Sequence, residues 1–292
     1  MRKTLCFLTI FASIGLAPGA MSAATQSYDA IYVFGDSYCD VGNIFIATGG
    51  AEPAAPYYNG RFSNGPIWIE HVAGGMGLPM VAALAGGTDY AFGGAWATEP
   101  QSIPGGGTIP SVPEQVELYL SQHGGKADPN ALYVIEGGGN DILDTTSVSP
   151  DALGFKIAVA LAGSELILRQ AGARHFVIPN LFNVGLLPAG QANAAFDLQA
   201  SLAANKYLND FLGLEDALEG IHILRLDVFS LLQSLVTDKT HYGFTNVTSP
   251  CLTTTICADP DHTYFWDTHH PTEFGQDLFA TTLEVVLSQH NK

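Results

Sequence analysis

Short apolar runs alternate with longer amphipathic ones through most of this chain, and that alternation restricts the fold more than any other feature. Leu132 to Ile135 has the pattern of a buried strand. Pro150 to Ala171 has apolar residues at helical spacing, Gly172 is its stop signal, and His175 to Ile178 reads as the next strand. Phe196 to Leu212 repeats the helical pattern and Ile221 to Leu226 the strand pattern. Upstream, Tyr28 to Phe34 reads as a first strand, and Val112 to Gln122 as a helix with Pro113 in its first turn. Strands joined through helices pair in parallel and are covered on both faces. The expected fold is α/β: a three-layer α/β/α sandwich with a mostly parallel central sheet.

Two of these strands end in polar residues. Phe34 runs into Gly35-Asp36-Ser37, and Ile135 into Glu136-Gly137-Gly138-Gly139-Asn140-Asp141. Open α/β sheets place ligands at the carboxyl ends of their strands, so both stretches are candidate site segments. Between them, residues 43–107 are rich in Gly, Pro and Ala, which predicts long loops and one short helix around Ile67 to Gly74. At the far end, a final helix is expected from about Thr272 to Gln289, which leaves Asp267-Thr268-His269-His270 on the loop before it. A carboxylate three residues before an imidazole can hold one tautomer of the ring while it takes a proton from a serine. His269 competes with His270 for that role. Asp36 reads as a structural carboxylate that accepts N–H groups of its turn.

The remaining features set the setting. Arg2 and Lys3, the apolar run from Leu5 to Leu16 and the small residues Ala20, Ser22, Ala23 and Ala24 have the order of a secretory signal peptide, so residues 1–24 are expected to be removed and 25–292 to form one domain. The expected destination is secreted or periplasmic. The chain has 11 Lys plus Arg against 28 Asp plus Glu, a formal charge of −17, which disfavours nucleic acid and permits at most transient contact with an anionic membrane. Cys6 leaves with the signal. In an oxidising compartment, the spacing of Cys251 and Cys257 reads as a local disulfide, and Cys39 stays free as a packed thiol. The cluster Asp259, Asp261, His262, Asp267, His269 and His270 lacks an H-x-x-x-H spacing and reads as loop surface, not a metal site. No G-x-G-x-x-G follows a strand and opens a helix, so no metal or other cofactor is expected.

Phe34-Gly35-Asp36-Ser37 with Asp40, Gly42 and Asn43 resembles the first block of the GDSL family, also called SGNH hydrolases, with Tyr38 where leucine is usual. Gly60-Arg61-Phe62-Ser63-Asn64-Gly65 resembles a segment of its lipase-like branch. In Tyr90-Ala91-Phe92-Gly93-Gly94-Ala95, Gly93 takes the place of the second-block glycine, with Gly94 as the alternative register. Gly138-Gly139-Asn140-Asp141 resembles the third block, and Asp267-Thr268-His269-His270-Pro271-Thr272 the fifth. The resemblance implies a catalytic Ser37, Asp267 and His270, with an oxyanion hole formed by Ser37, Gly93 and Asn140. It implies a serine esterase acting through an acyl-enzyme on lipid, lysophospholipid or short-chain acyl esters. An acetylesterase for substituted polysaccharide is the alternative within that chemistry, and an inactive ligand-binding homologue the alternative outside it. An apolar trough beside Ser37 would favour lipid, and exposed aromatic platforms polysaccharide; Trp68, Trp96 and Trp266 are open to either use or to core packing.

Overall fold

A computed structural model describes residues 28–103, 106–215 and 218–290. The segment read as a signal peptide lies outside the described residues. The central sheet contains β1 (Ile31–Phe34), β4 (Leu132–Ile135), β5 (His175–Pro179) and β6 (His222–Leu226), all parallel and in the order β1-β4-β5-β6. All four residues of β4 are buried, as a central strand covered on both faces requires. At the edge, β6 alternates, with Leu224 and Leu226 buried and His222 exposed. A two-stranded ribbon, β2 (Gln101–Ser102) with β3 (Thr108–Ile109), stands apart from this sheet.

The helices in chain order are α1 (Asn43–Ala47), α2 (Trp68–Gly75), α3 (Val112–Gln122), α4 (Gly139–Asp144), α5 (Pro150–Ala171), α6 (Ala194–Glu215), α7 (Val228–Thr237) and α8 (Glu273–His290). α5 packs on α3 and α6, and α2 packs on α8. The sheet lies between these groups, with Val134, Ile135, Val177 and Ile178 fully buried in the layer they share. The long helices and central strands follow the hydrophobic periodicity. α7 is an element the sequence expectations lack, and the loop-rich region 43–107 also holds α1 and β2, whose partner β3 follows directly after it.

That region supplies one more strand-like stretch. Val33 N–H donates to Thr88 O at 3.1 Å, Tyr90 N–H to Val33 O at 2.8 Å, and Phe92 N–H to Gly35 O at 3.1 Å. Residues 88–92 therefore cover the second edge of β1 in parallel, although only the Val33–Asp89 bridge is regular. The chain thus reaches β1 from opposite sides, through residues 88–92 and through β4. The carboxyl end of β1 is a topological switch point, where strand connections diverge and leave a crevice. Ser37 sits in that crevice.

The turn after β4 depends on Gly138, which has φ +98° and faces Ile157 and Leu181 so closely that an added Cβ would lie 2.6 Å from Ile157 Cγ2. Gly138→Ala combines an unfavourable φ with overpacking, so it is expected to lower unfolding free energy by roughly 2 kcal/mol or more. Urea unfolding at neutral pH checks this, and an unchanged midpoint would contradict it.

Candidate active site

The fifth-block loop builds its own half of the site. Phe265 bridges Pro271 in antiparallel fashion, and Trp266 N–H donates to His270 O at 2.7 Å, so residues 265–271 close into a turn. Inside it, Asp267 Oδ1 accepts the N–H groups of His269 at 2.7 Å and His270 at 2.8 Å. This Asx-type turn folds the His270 ring back onto the same carboxylate. His270 Nδ1 lies 2.7 Å from Asp267 Oδ2 and 3.0 Å from Oδ1, while His270 Nε2 lies 2.7 Å from Ser37 Oγ. An ionised carboxylate only accepts, so Nδ1 carries the proton and Nε2 is the free base facing the serine. The three residues are 6% (Ser37), 8% (His270) and 9% (Asp267) exposed.

Burial alone would push the Asp267 carboxyl up. The charge of His270 and hydrogen bonds from His270, Tyr57 and the His269 N–H outweigh it and hold the group well below the usual carboxylate range. Tyr57 is a residue the sequence expectations lack: its hydroxyl donates to Asp267 Oδ2 at 2.7 Å from a loop 210 positions away. No local pattern marks a tyrosine in a Pro/Ala-rich loop as a partner of a distant carboxylate. His269 also lines the crevice, but its Nδ1 pairs with Thr268 Oγ1 at 2.9 Å, while Ser37 Oγ pairs with His270. Burial and the neighbouring His270 charge lower its pKa.

The nucleophile turn is held from below. Gln115 of α3 grips Gly35 twice, accepting its N–H at 2.8 Å and donating to its carbonyl at 2.9 Å. Asp36 N–H donates to Glu136 Oε1 at 2.7 Å, and Tyr38 N–H to Asp36 Oδ1 at 3.0 Å, as expected of a structural Asp36. Burial, and then the charge of Asp36, push Glu136 well up, and burial raises Asp36 as well. Between these bonded amides, the N–H of Ser37 has no acceptor among the described residues.

Gly93 departs from its expected role. Its N–H donates to buried Asp40 Oδ2 at 2.8 Å and is not directed at the crevice. Its lack of a side chain serves packing: a Cβ there would lie 2.2 Å from the Phe62 ring, which covers His270 with ring centroids 5.0 Å apart. Gly94, at φ +79°, lines the crevice instead, and its N–H has no acceptor among the described residues. Asn140 also lines it, at the start of α4, its amide oriented by donating to Ala95 O at 3.0 Å. The second amide hydrogen has only a 3.5 Å contact with Asp36 Oδ2, a weak competitor for another acceptor. Around these groups an open crevice is walled by Phe62, Leu143, Phe182 and Leu187. Trp68 and Trp266 belong to the core, at 4% and 1% exposure, while Trp96 is half-buried.

Cys251 and Cys257 are bridged, and Cys251 N–H donates to Phe265 O at 2.9 Å, so the disulfide loop is tied to the stretch that enters the turn of Asp267 and His270. Cys39 is free and buried, and burial pushes its thiol well up, away from the reactive thiolate form. Among the described residues, no helix is long and apolar enough to cross a membrane.

Tyr57→Phe should raise the Asp267 pKa and lower unfolding free energy at neutral pH by about 1.5 kcal/mol, the scale of a hydrogen bond to a charged group. Because the folded value is depressed, this contribution is present above the unfolded carboxylate range and is lost as pH falls through the folded value. Carboxyl NMR titration of Asp267 together with urea unfolding checks it; an unmoved titration would remove Tyr57 from the account.

Residues 31–283 match the profile of the GDSL-like lipase/acylhydrolase family. A thermolabile hemolysin of Vibrio parahaemolyticus is 27% identical over 266 residues, which cover 83% of this chain and 60% of the relative. This chain therefore spans less than two thirds of that protein. A GDSL esterase/lipase of Arabidopsis thaliana is 25% identical over 315 residues, covering 86% of this chain and 85% of the relative. Among solved structures, a member of the lipolytic G-D-S-L family from Veillonella parvula superposes with a TM-score of 0.52 at 15% identity, over 89% of this chain and 98% of that one, a likeness of fold. With the profile spanning nearly the whole described chain, this protein belongs to the GDSL-like lipase/acylhydrolase family.

Proposed function

We propose that the protein hydrolyses carboxylic esters through an acyl-enzyme on Ser37. The observation that carries this reading is the unbroken chain Ser37 Oγ, His270, Asp267, each link 2.7 Å long, beside unpaired backbone N–H groups. His270 Nε2 takes the hydroxyl proton as Oγ bonds to the ester carbonyl carbon. The carbonyl electrons move to oxygen, and the N–H groups of Ser37 and Gly94 with the Asn140 amide stabilise the oxyanion. Collapse breaks the carbon–oxygen bond, and the leaving alkoxide takes the proton from His270. Water, deprotonated by the same ring, then releases the acid and restores Ser37. Asp267, anionic throughout, stabilises the imidazolium in both halves.

The apolar walls of the cavity favour acyl esters, including lysophospholipid and short-chain esters, over acetylated polysaccharide. Placement of Trp68 and Trp266 in the core supports the same choice, since neither can offer a sugar-stacking platform. We place the enzyme in the secreted or periplasmic space, a reading supported by the order of residues 1–24 and by the disulfide.

Wild type should hydrolyse p-nitrophenyl butyrate without added metal or cofactor, and Ser37→Ala should lose that activity. Asn140→Ala should lower kcat roughly 100-fold with a much smaller change in KM, because its donor meets a charge that exists only after attack. Steady-state kinetics on folded proteins decide this; near-wild-type kcat in either variant removes that residue from the mechanism. Faster turnover of acetylated xylan than of lysophospholipid would overturn the lipid-facing choice.

A further inference from the structure

A second, narrower cavity adjoins the one at Ser37, against the carboxyl ends of β5 and β6. Trp68, Leu181, Val184, Leu226, Val228 and Phe279 give it an apolar lining. The two cavities share Tyr38 and Phe182 as walls, with the backbone at Gly139 and the Asp36 side chain beside them. The Tyr38 and Phe182 rings stand 5.1 Å apart, and Tyr38 also abuts His270 at 5.8 Å and Phe279 at 6.4 Å between ring centroids. Its hydroxyl is pinned, donating to His269 O at 2.7 Å. The ring is thus fixed at both ends, immediately after the nucleophile. The two carboxyls that line the second cavity are held to the nucleophile turn, Asp36 Oδ1 by the Tyr38 N–H and Glu136 Oε1 by the Asp36 N–H.

We propose that Tyr38 and Phe182 form a partition that sets acyl-chain length, and that the rear cavity is an apolar extension of the acyl site closed off by these two rings. The occupant it fits is the distal methylene segment of an ester's acyl chain. Asn180, which also lines the rear cavity, is committed to Asp227 Oδ1 and the Phe229 N–H, so the surface left for a ligand is mainly apolar. In the intact protein, a chain longer than the front cavity must turn back toward water, so each further methylene gains nothing. With the partition opened, each methylene that enters the rear cavity should raise kcat/KM about fourfold, the equivalent of about 0.8 kcal/mol.

This inference rests on the ester-hydrolase reading, and the test separates the two. Wild-type turnover of p-nitrophenyl butyrate tests the reading, whereas the octanoate-to-butyrate ratio of kcat/KM across variants tests the partition. Tyr38→Ala and Phe182→Ala are each expected to raise that ratio at least tenfold over wild type. Tyr38→Phe keeps the ring and removes the bond to His269, so its ratio should stay within about twofold of wild type. If Tyr38→Ala fails to fold or loses butyrate turnover, Phe182→Ala, which leaves the Tyr38–His269 bond in place, decides the comparison. An unchanged ratio in a variant that still hydrolyses butyrate overturns the partition. So does loss of butyrate turnover in both alanine variants, which would make the rings supports of the catalytic loop and not a limit on chain length.

Discussion

The site hangs on a buried carboxylate that touches no reacting atom. Asp40, with no exposed surface, accepts the N–H groups of Gly42 and Asn43 on Oδ1 and those of Ile44 and Gly93 on Oδ2. Asp89, equally buried, accepts from Val41, Ala91 and Asn43. Burial raises the pKa of both, and their mutual repulsion raises that of Asp89 further. The backbone amides they collect offset that cost and lock the chain after Ser37 to the stretch 89–94. Because Gly93 is spoken for, the next residue faces the crevice. Electrostatic preorganisation at this site is therefore a property of loops made rigid by buried carboxylates.

That arrangement explains why the sequence was legible in some places and opaque in others. The long helices and central strands follow hydrophobic periodicity alone, and Val112–Gln122, Leu132–Ile135 and Pro150–Ala171 fall where the pattern puts them. α7 carries a readable signal as well, with Asp227 accepting from Ser230 N–H at its start and Val228, Leu232 and Leu235 on its buried side. Residues 88–92 could not be read as a strand. Asp89 interrupts the apolar run, and its pairing with β1 depends on backbone bonds that leave no mark in side-chain type. Within the site, the convergence of Ser37, Asp267, His270 and Asn140 on one crevice was legible because motif spacing marks them. The choice between Gly93 and Gly94 was not, because adjacent glycines differ only in where an amide points. Tyr57, Gln115 and Glu136 act across 80 to 210 residues of chain, a separation at which a single sequence holds no pattern.

The two halves of the triad reach each other through the core. Ser37 is delivered by β1 at the switch point, and His270 by a turn between the disulfide-tied stretch at Phe265 and α8, which packs on α2. Tyr38, Phe62 and Tyr57 then fill the seam: Phe62 covers the imidazole, Tyr57 meets the acid, and Tyr38 joins the His269 carbonyl. Aromatic rings suit this position, since Tyr38 and Phe62 present apolar faces to the cavity, and the two tyrosines add a polar tip that satisfies a buried partner.

The most direct test of the account is to trap the nucleophile. Treating the folded protein with a fluorophosphonate and mapping the adduct by peptide mass spectrometry should place one phosphonyl group on Ser37. The reaction should be lost in Ser37→Ala and strongly slowed in His270→Ala, since the serine needs that ring to take its proton. An adduct on another residue, or undiminished labelling in His270→Ala, would contradict the catalytic assignment at its centre.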